Sequence, residues 1–160
     1  MNVTRTTSIS RGVAATVLAG LMAVAATVAM AQQTRPIIEV FKTPTCGCCA
    51  NWVKHLEQHG FATHVTNVED LSSFKANQEV PVRLQSCHTA TVDGYVIEGH
   101  VPATDVQRLL TERPAVRGLA VPGMPIGSPG MEVPNVKPTP YNVLSFDRQG
   151  QIQVFSSHGR

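Results

Sequence analysis

The sequence predicts a single α/β domain with an added hairpin and a long Gly/Pro-rich loop, preceded by a removable leader. Three observations lead there. Strand-like and helix-like runs alternate after residue 36, a cysteine cluster marks the junction of the first strand and first helix, and Asp93-Gly94 separates two β-rich runs.

The first residues read as an address. Arg5 and Arg11 give a basic start, Val13 to Val28 is an uncharged Ala/Val/Leu run, and Ala29-Met30-Ala31 offers a small-x-small cleavage site before Gln32. An uncleaved anchor competes with this reading, because the run approaches the roughly 17 residues that can span a bilayer. The cleavage site directly behind the run favours a signal peptide over 1–31, with the domain over 32–160.

Removing the first 31 of 160 residues leaves 129, enough for one ordinary domain. The leader takes two of the 13 basic residues, so 11 basic face 11 acidic residues and nothing electrostatic favours nucleic acid. No second apolar run is long enough to span a membrane.

Ile37 to Phe41, β-branched and aromatic, reads as a buried strand. Thr43-Pro44-Thr45 supplies a turn and a candidate N-cap hydroxyl for a helix from about Cys46 to His59, which Gly60 stops. Along it Cys49, Trp52, Val53 and Leu56 fall at i, i+3, i+4 and i+7, one apolar stripe, so Cys49 points inward while Cys46 and Cys48 are more accessible. Phe61 to Val68 reads as a second strand and Leu71 to Asn77 as a short helix; Glu79 to Ser86 is ambiguous.

Thr89 to Val92 and Tyr95 to Glu98 flank Asp93-Gly94, which suits a type I′ hairpin turn, with Cys87 and His88 at its mouth. Pro102 opens a helix whose apolar face is Val106, Leu109 and Leu110, and Arg113-Pro114 closes it. Gly118 to Pro140 reads as a long ordered loop, a length that is usually functional or disordered. Asn142 to Phe146 and Ile152 to Ser156 form a terminal hairpin.

Cys46, Cys48 and Cys49 are three of four cysteines, packed at a helix start. Unpaired N–H groups and the positive end of the helix dipole lower a thiol's pKa there and favour the thiolate, the form that binds soft metals and attacks disulfides. Neighbouring thiols brace a fold poorly, so a site is the better reading than a staple. A strand, a cysteine motif at a helix start, then strand, helix, hairpin and helix make up the thioredoxin-like plan.

Four motifs in order sharpen this. Thr45-Cys46-Gly47-Cys48-Cys49, Cys87-His88-Thr89-Ala90, Glu98-Gly99-His100-Val101-Pro102, and Gly123-Met124-Pro125 through Gly127-Ser128-Pro129-Gly130-Met131-Glu132 resemble the CopG-type periplasmic copper-resistance family across residues 36–158. The resemblance implies a thioredoxin-like fold, a periplasmic location, Cu(I) held by the cysteines, and a role in copper tolerance that can include redox interconversion of copper.

The cysteines allow two uses. As a metal site, Cys46, Cys48, Cys49 and Cys87 supply soft thiolates, with Met124 and Met131 as thioethers brought in by the loop. Thioethers point to Cu(I) rather than to zinc, which prefers a closed set of Cys and His, and bridging thiolates can hold more than one ion. As a redox site, Cys46-x-x-Cys49 is a thiol–disulfide oxidoreductase pair, with Cys46 attacking and Cys49 resolving. Cys48 counts against that use, since a third thiol invites scrambling. Delivery of copper to an efflux or redox partner stays open.

His88, beside Cys87, is a ligand, a hydrogen-bond donor to a ligand or a plain hairpin residue. His100, ahead of a helix, reads as a structural hydrogen-bonder or a ligand. His55 and His59, at i and i+4, fall on the solvated side of the first helix, and His64 and His158 have no partner nearby in sequence. Replacing Met124 and Met131 together by Leu, near in volume but without sulfur, should loosen Cu(I) more than Zn(II) in chelator competition. An equal effect on both ions would mean that the two residues only pack.

Overall fold

The computed structural model describes residues 36–159, so the leader over 1–31 lies outside the described residues. The chain builds a mixed α/β structure: β1 (Ile38–Lys42), α1 (Gly47–Gln58), β2 (Thr63–Asn67), α2 (Ser72–Asn77), a 3-10 turn (Val82–Leu84), β3 (His88–Val92), β4 (Tyr95–Glu98), α3 (Ala103–Glu112), β5 (Gly118–Ala120), β6 (Tyr141–Phe146) and β7 (Ile152–His158). Among the described residues no helix is long and apolar enough to cross a membrane.

The strands form one sheet in the order β2-β1-β3-β4-β5-β6-β7. β1 pairs with β2 in parallel, β3 runs antiparallel between β1 and β4, β5 is parallel to β4, and β6 and β7 complete an antiparallel edge. Successive strand residues face opposite sides, and the core divides accordingly. Ile38, Val40, Ala90, Val92, Ile97, Leu119 and Val143 pack with Trp52, Val53 and Leu56 of α1 and Val106 and Leu109 of α3. Val96, Ala120 and Phe146 pack on the other side with Val80 and Leu84, near the 3-10 turn.

Cys49, Trp52, Val53 and Leu56 are the buried face of α1. Each large apolar side chain buried there contributes about 1.5–3 kcal/mol relative to exposure. Asp93 and Gly94 both take positive φ, 49° and 86°, as a type I′ turn requires.

Three expectations are corrected. Gly118–Ala120 is not loop but a short strand between β4 and β6. Three residues carry no readable periodicity, and the pairing partners alone make them a strand. No threonine hydroxyl caps α1; Cys46 is its N-cap, and the Cys46 N–H donates to the Thr43 carbonyl at 3.2 Å. His55 is half-buried rather than solvated, because its Nε2 accepts the Ala103 N–H at 3.0 Å and so caps the start of α3. His158, remote from any partner in sequence, pairs with Asp105 at 2.7 Å and ties β7 to α3.

One buried polar cluster crosses the sheet. Glu98 is fully buried, and its carboxylate accepts Lys75 Nζ at 2.5 Å, the Thr89 hydroxyl at 2.6 Å and the Ser86 N–H at 2.6 Å. Lys75 Nζ also donates to Thr89 Oγ1 at 2.8 Å. Burial pushes the Glu98 carboxyl up, with the Lys75 ammonium opposing it. Lys75→Met should destabilise the fold by about 3–5 kcal/mol, the usual penalty for orphaning a buried charge. Because a carboxyl with a raised pKa is neutralised by protonation, the deficit should grow as pH rises and shrink on acidification. Urea unfolding between pH 5 and 8 measures it, and a pH-independent deficit would refute the ion-pair account.

Candidate metal centre

The sheet brings distant segments together at one end. Lys42, the last residue of β1, lies opposite His88, the first of β3. Glu98 at the end of β4 lies opposite Thr89 and Ala120. The chain therefore leaves the sheet at this end into the cysteine motif, into Gly99-His100, and into the loop after β5, and enters β3 here through Cys87.

Four sulfurs converge. The Sγ atoms of Cys46, Cys48, Cys49 and Cys87 all lie within 4.8 Å of one another. Cys46 and Cys49 are joined as a disulfide, Cα to Cα 5.3 Å, while Cys48 and Cys87 are free thiols. Cys49 is fully buried; the other three are partly exposed. Cys48 Sγ is 3.5 Å from Cys46 Sγ.

Two imidazoles surround Cys87. Its Sγ is 3.3 Å from His88 Nδ1 and 3.1 Å from His100 Nε2. His100 Nδ1 donates to the Pro129 carbonyl at 2.8 Å, which leaves Nε2 as the lone-pair nitrogen facing the sulfur. His88 is fully buried against the Trp52 ring, 4.3 Å between centroids, with His100 edge-on at 5.0 Å. His88 Nε2 has no hydrogen-bond partner among the described residues. Burial, with the His100 and Lys75 charges, holds the His88 pKa well below the usual histidine range, and burial lowers that of His100. The Cys87 thiol is pushed up to about 12, first by burial and then by the neighbouring Cys48.

The Gly/Pro-rich loop is fastened beside this cluster. The Ser86 hydroxyl donates to the Gly123 carbonyl, next to Met124, and the Pro129 carbonyl binds His100. A Cβ on Gly130 would sit 2.7 Å from the Cys48 carbonyl and the Trp52 N, so only glycine lets the loop lie against the first turns of α1. Gly99, at φ 70°, is equally constrained, since a Cβ there would meet Ser86 Cβ at 2.6 Å. Met131 is partly buried at the end of this segment, whereas the Met124 side chain is 52% exposed.

Cys46, Cys48, Cys49 and Cys87 are thus brought together, His88 and His100 join them through Cys87, and Met124 and Met131 sit on the loop fastened alongside. His59 Nδ1 instead donates to the His55 carbonyl at 2.7 Å, and His64 pairs with Glu39 at 2.6 Å. The sequence reading missed Lys75 and Glu98. The available signal was a carboxylate ending the apolar strand Val96-Ile97, directly before a glycine.

Comparison with known proteins follows the same residues. A family model described as "Protein of unknown function, DUF411" matches residues 84–131, the stretch holding Cys87, His88, His100, Met124 and Met131. Two solved structures of a copper resistance protein CopG are similar over nearly their whole length. Form 2 is 43% identical with a TM-score of 0.73, covering 78% of this chain and 98% of its own. Form 1 is 42% identical with a TM-score of 0.74, covering 79% and 99%. No curated protein matches the sequence.

With the Cys46–Cys49 disulfide intact, iodoacetamide labelling of Cys87 should accelerate with pH throughout the alkaline range, because the protonated thiol does not react. Mass spectrometry of the alkylated peptide measures the rate. A plateau near the ordinary cysteine value of about 8.5 would contradict the desolvation described.

Proposed function

The chain belongs to the CopG family of copper-resistance proteins, and on that premise we propose that it is an exported, thioredoxin-like protein that binds Cu(I) in copper resistance. Cys46, Cys48, Cys49 and Cys87 are its ligands, assisted by Met124 and Met131. The observation that carries this reading is the convergence of four sulfurs within 4.8 Å from two segments about forty residues apart in sequence. Soft sulfur donors select Cu(I), and thioethers extend the set without adding charge. Support for the fold comes from the strand order β2-β1-β3-β4, with β3 antiparallel to both neighbours and the cysteine motif at the start of α1. The basic, apolar, small-x-small leader supports export to the periplasm.

Copper enters here as cargo. All four sulfurs are available only in the reduced protein, since the disulfide withdraws Cys46 and Cys49. With two protons and two electrons the disulfide gives back two thiols, and deprotonation prepares them for the metal. The protein protects by sequestering copper, by handing it to an efflux or redox partner, or by changing its oxidation state. In the last case two Cu(II) ions take one electron each from the Cys46/Cys49 dithiol, yielding two Cu(I), the disulfide and two protons.

The disulfide itself favours a second reading. Cys46-x-x-Cys49 at a helix N-terminus, with Cys46 partly exposed and Cys49 buried, is the arrangement of a thiol–disulfide oxidoreductase.

Anaerobic Cu(I) titration of the reduced mature protein against a competing chelator separates the two. One or more Cu(I) per chain, held in preference to Zn(II), is the expected result. Cys48→Ser should cut the affinity at least tenfold while leaving the Cys46–Cys49 disulfide able to form. Full stoichiometry and affinity in that variant, or no Cu(I) binding by the wild type, would turn the assignment to the oxidoreductase.

A further inference from the structure

Two lysines are buried at the cysteine end of the sheet, and only one has a counter-ion. Lys75 is matched by the Glu98 carboxylate. Lys42, 8% exposed, has no ion-pair partner among the described residues. Its Nζ donates to the Thr43 carbonyl at 3.1 Å and the Pro44 carbonyl at 3.4 Å. Carbonyls satisfy its N–H donors without matching its charge, and an unmatched buried charge is costly. We propose that Lys42 is the built-in counter-charge of the cysteine motif, its ammonium stabilising the reduced, thiolate-bearing state over the Cys46–Cys49 disulfide. This rests on the reading of the cysteines as a thiolate site.

The placement follows from the sheet. Lys42 alternates with the buried Ile38 and Val40 and so shares their face, the one that packs against α1. It lies directly opposite His88, beside which stands Cys87. The Thr43 carbonyl that takes the ammonium also accepts the Cys46 N–H, so the cation is fastened to the turn that delivers the motif.

Helix electrostatics do not account for a cation there. The positive end of the α1 dipole repels one, and α1 has neither an acidic residue in its first turn nor a side-chain cap. Two like-signed sources therefore meet at the motif with no fixed anion between them, and a thiolate relieves both. The disulfide carries no charge and gains nothing from either. Reduction by an external dithiol breaks the Cys46–Cys49 bond, transfers two electrons and two protons to the pair and closes the donor's own disulfide. Loss of one S–H proton to solvent then leaves the thiolate that the ammonium stabilises.

The mature protein equilibrated in mixtures of reduced and oxidised dithiothreitol, with the Cys46–Cys49 disulfide read by alkylation and mass spectrometry, tests this. In K42M the equilibrium constant for reduction should fall about tenfold, a potential more negative by about 30 mV for a two-electron couple, with far-UV circular dichroism unchanged. K42R should restore the wild-type constant. K42Q, which keeps an N–H donor for the two carbonyls without the charge, should behave as K42M does, and K42Q against K42R decides the matter if K42M does not fold. A wild-type constant in K42M overturns the proposal. So does a wild-type constant in K42Q, because hydrogen bonding alone would then explain the lysine. Cu(I) titration of the reduced wild type is read separately: no Cu(I) binding sinks the copper reading and leaves the dithiol result standing, whereas Cu(I) binding with an unchanged constant in K42M sinks only the counter-charge.

Discussion

Glu98 is fully buried, and its carboxylate is satisfied by protein groups on three sides: an ammonium from α2, a hydroxyl from β3 and a backbone N–H just before Cys87. In a low-dielectric interior such a group is costly unless every partner is present, so its partners are held tightly to it. Ser86 and Thr89, which bracket Cys87 and His88, are thereby pinned. Ser86 passes the constraint on through its hydroxyl to Gly123 at the base of the methionine loop. The position of Cys87, on which both the sulfur cluster and the imidazole pair depend, rests on this one carboxylate.

The rest of the centre follows from strand directions. β1 and β4 end, and β3 begins, at the same side of the sheet, so a helix start, a strand entry and a loop exit meet without any special device. Close backbone approach does the final placing. Gly99 turns the chain so that His100 comes back to Cys87, and Gly130 lets the loop rest on α1. Neither position has room for a side chain.

The same sulfurs cannot at once be a disulfide and a set of thiolate ligands. In the structure Cys46 and Cys49 are paired while Cys48 and Cys87 are free, so all four sulfurs are available together only after reduction. Burial raises the pKa of the Cys87 thiol and lowers those of both nearby imidazoles. A desolvated, protonated thiol is a poor nucleophile, which leaves the Cys46–Cys49 disulfide, reached through the partly exposed Cys46, as the more accessible redox couple.

The alternation of elements, the buried stripe of α1 and the Asp93-Gly94 hairpin were legible in the sequence, because periodicity and turn chemistry are local properties. So were the clustering of Cys46, Cys48 and Cys49 and their place at a helix start. β5 was not legible, since three residues become a strand only through partners far along the chain. The same holds for His55, whose ring caps a helix 48 residues away, and for Lys75 and Glu98, whose charges look like surface charges until the sheet buries them. The sequence by itself placed Cys46, Cys48 and Cys49 together at a helix start and offered Cys87 as a further candidate ligand. Only the tertiary structure decided how close Cys87 comes to them, and that two imidazoles face Cys87, because those distances depend on strand pairing between segments with no local signal to relate them.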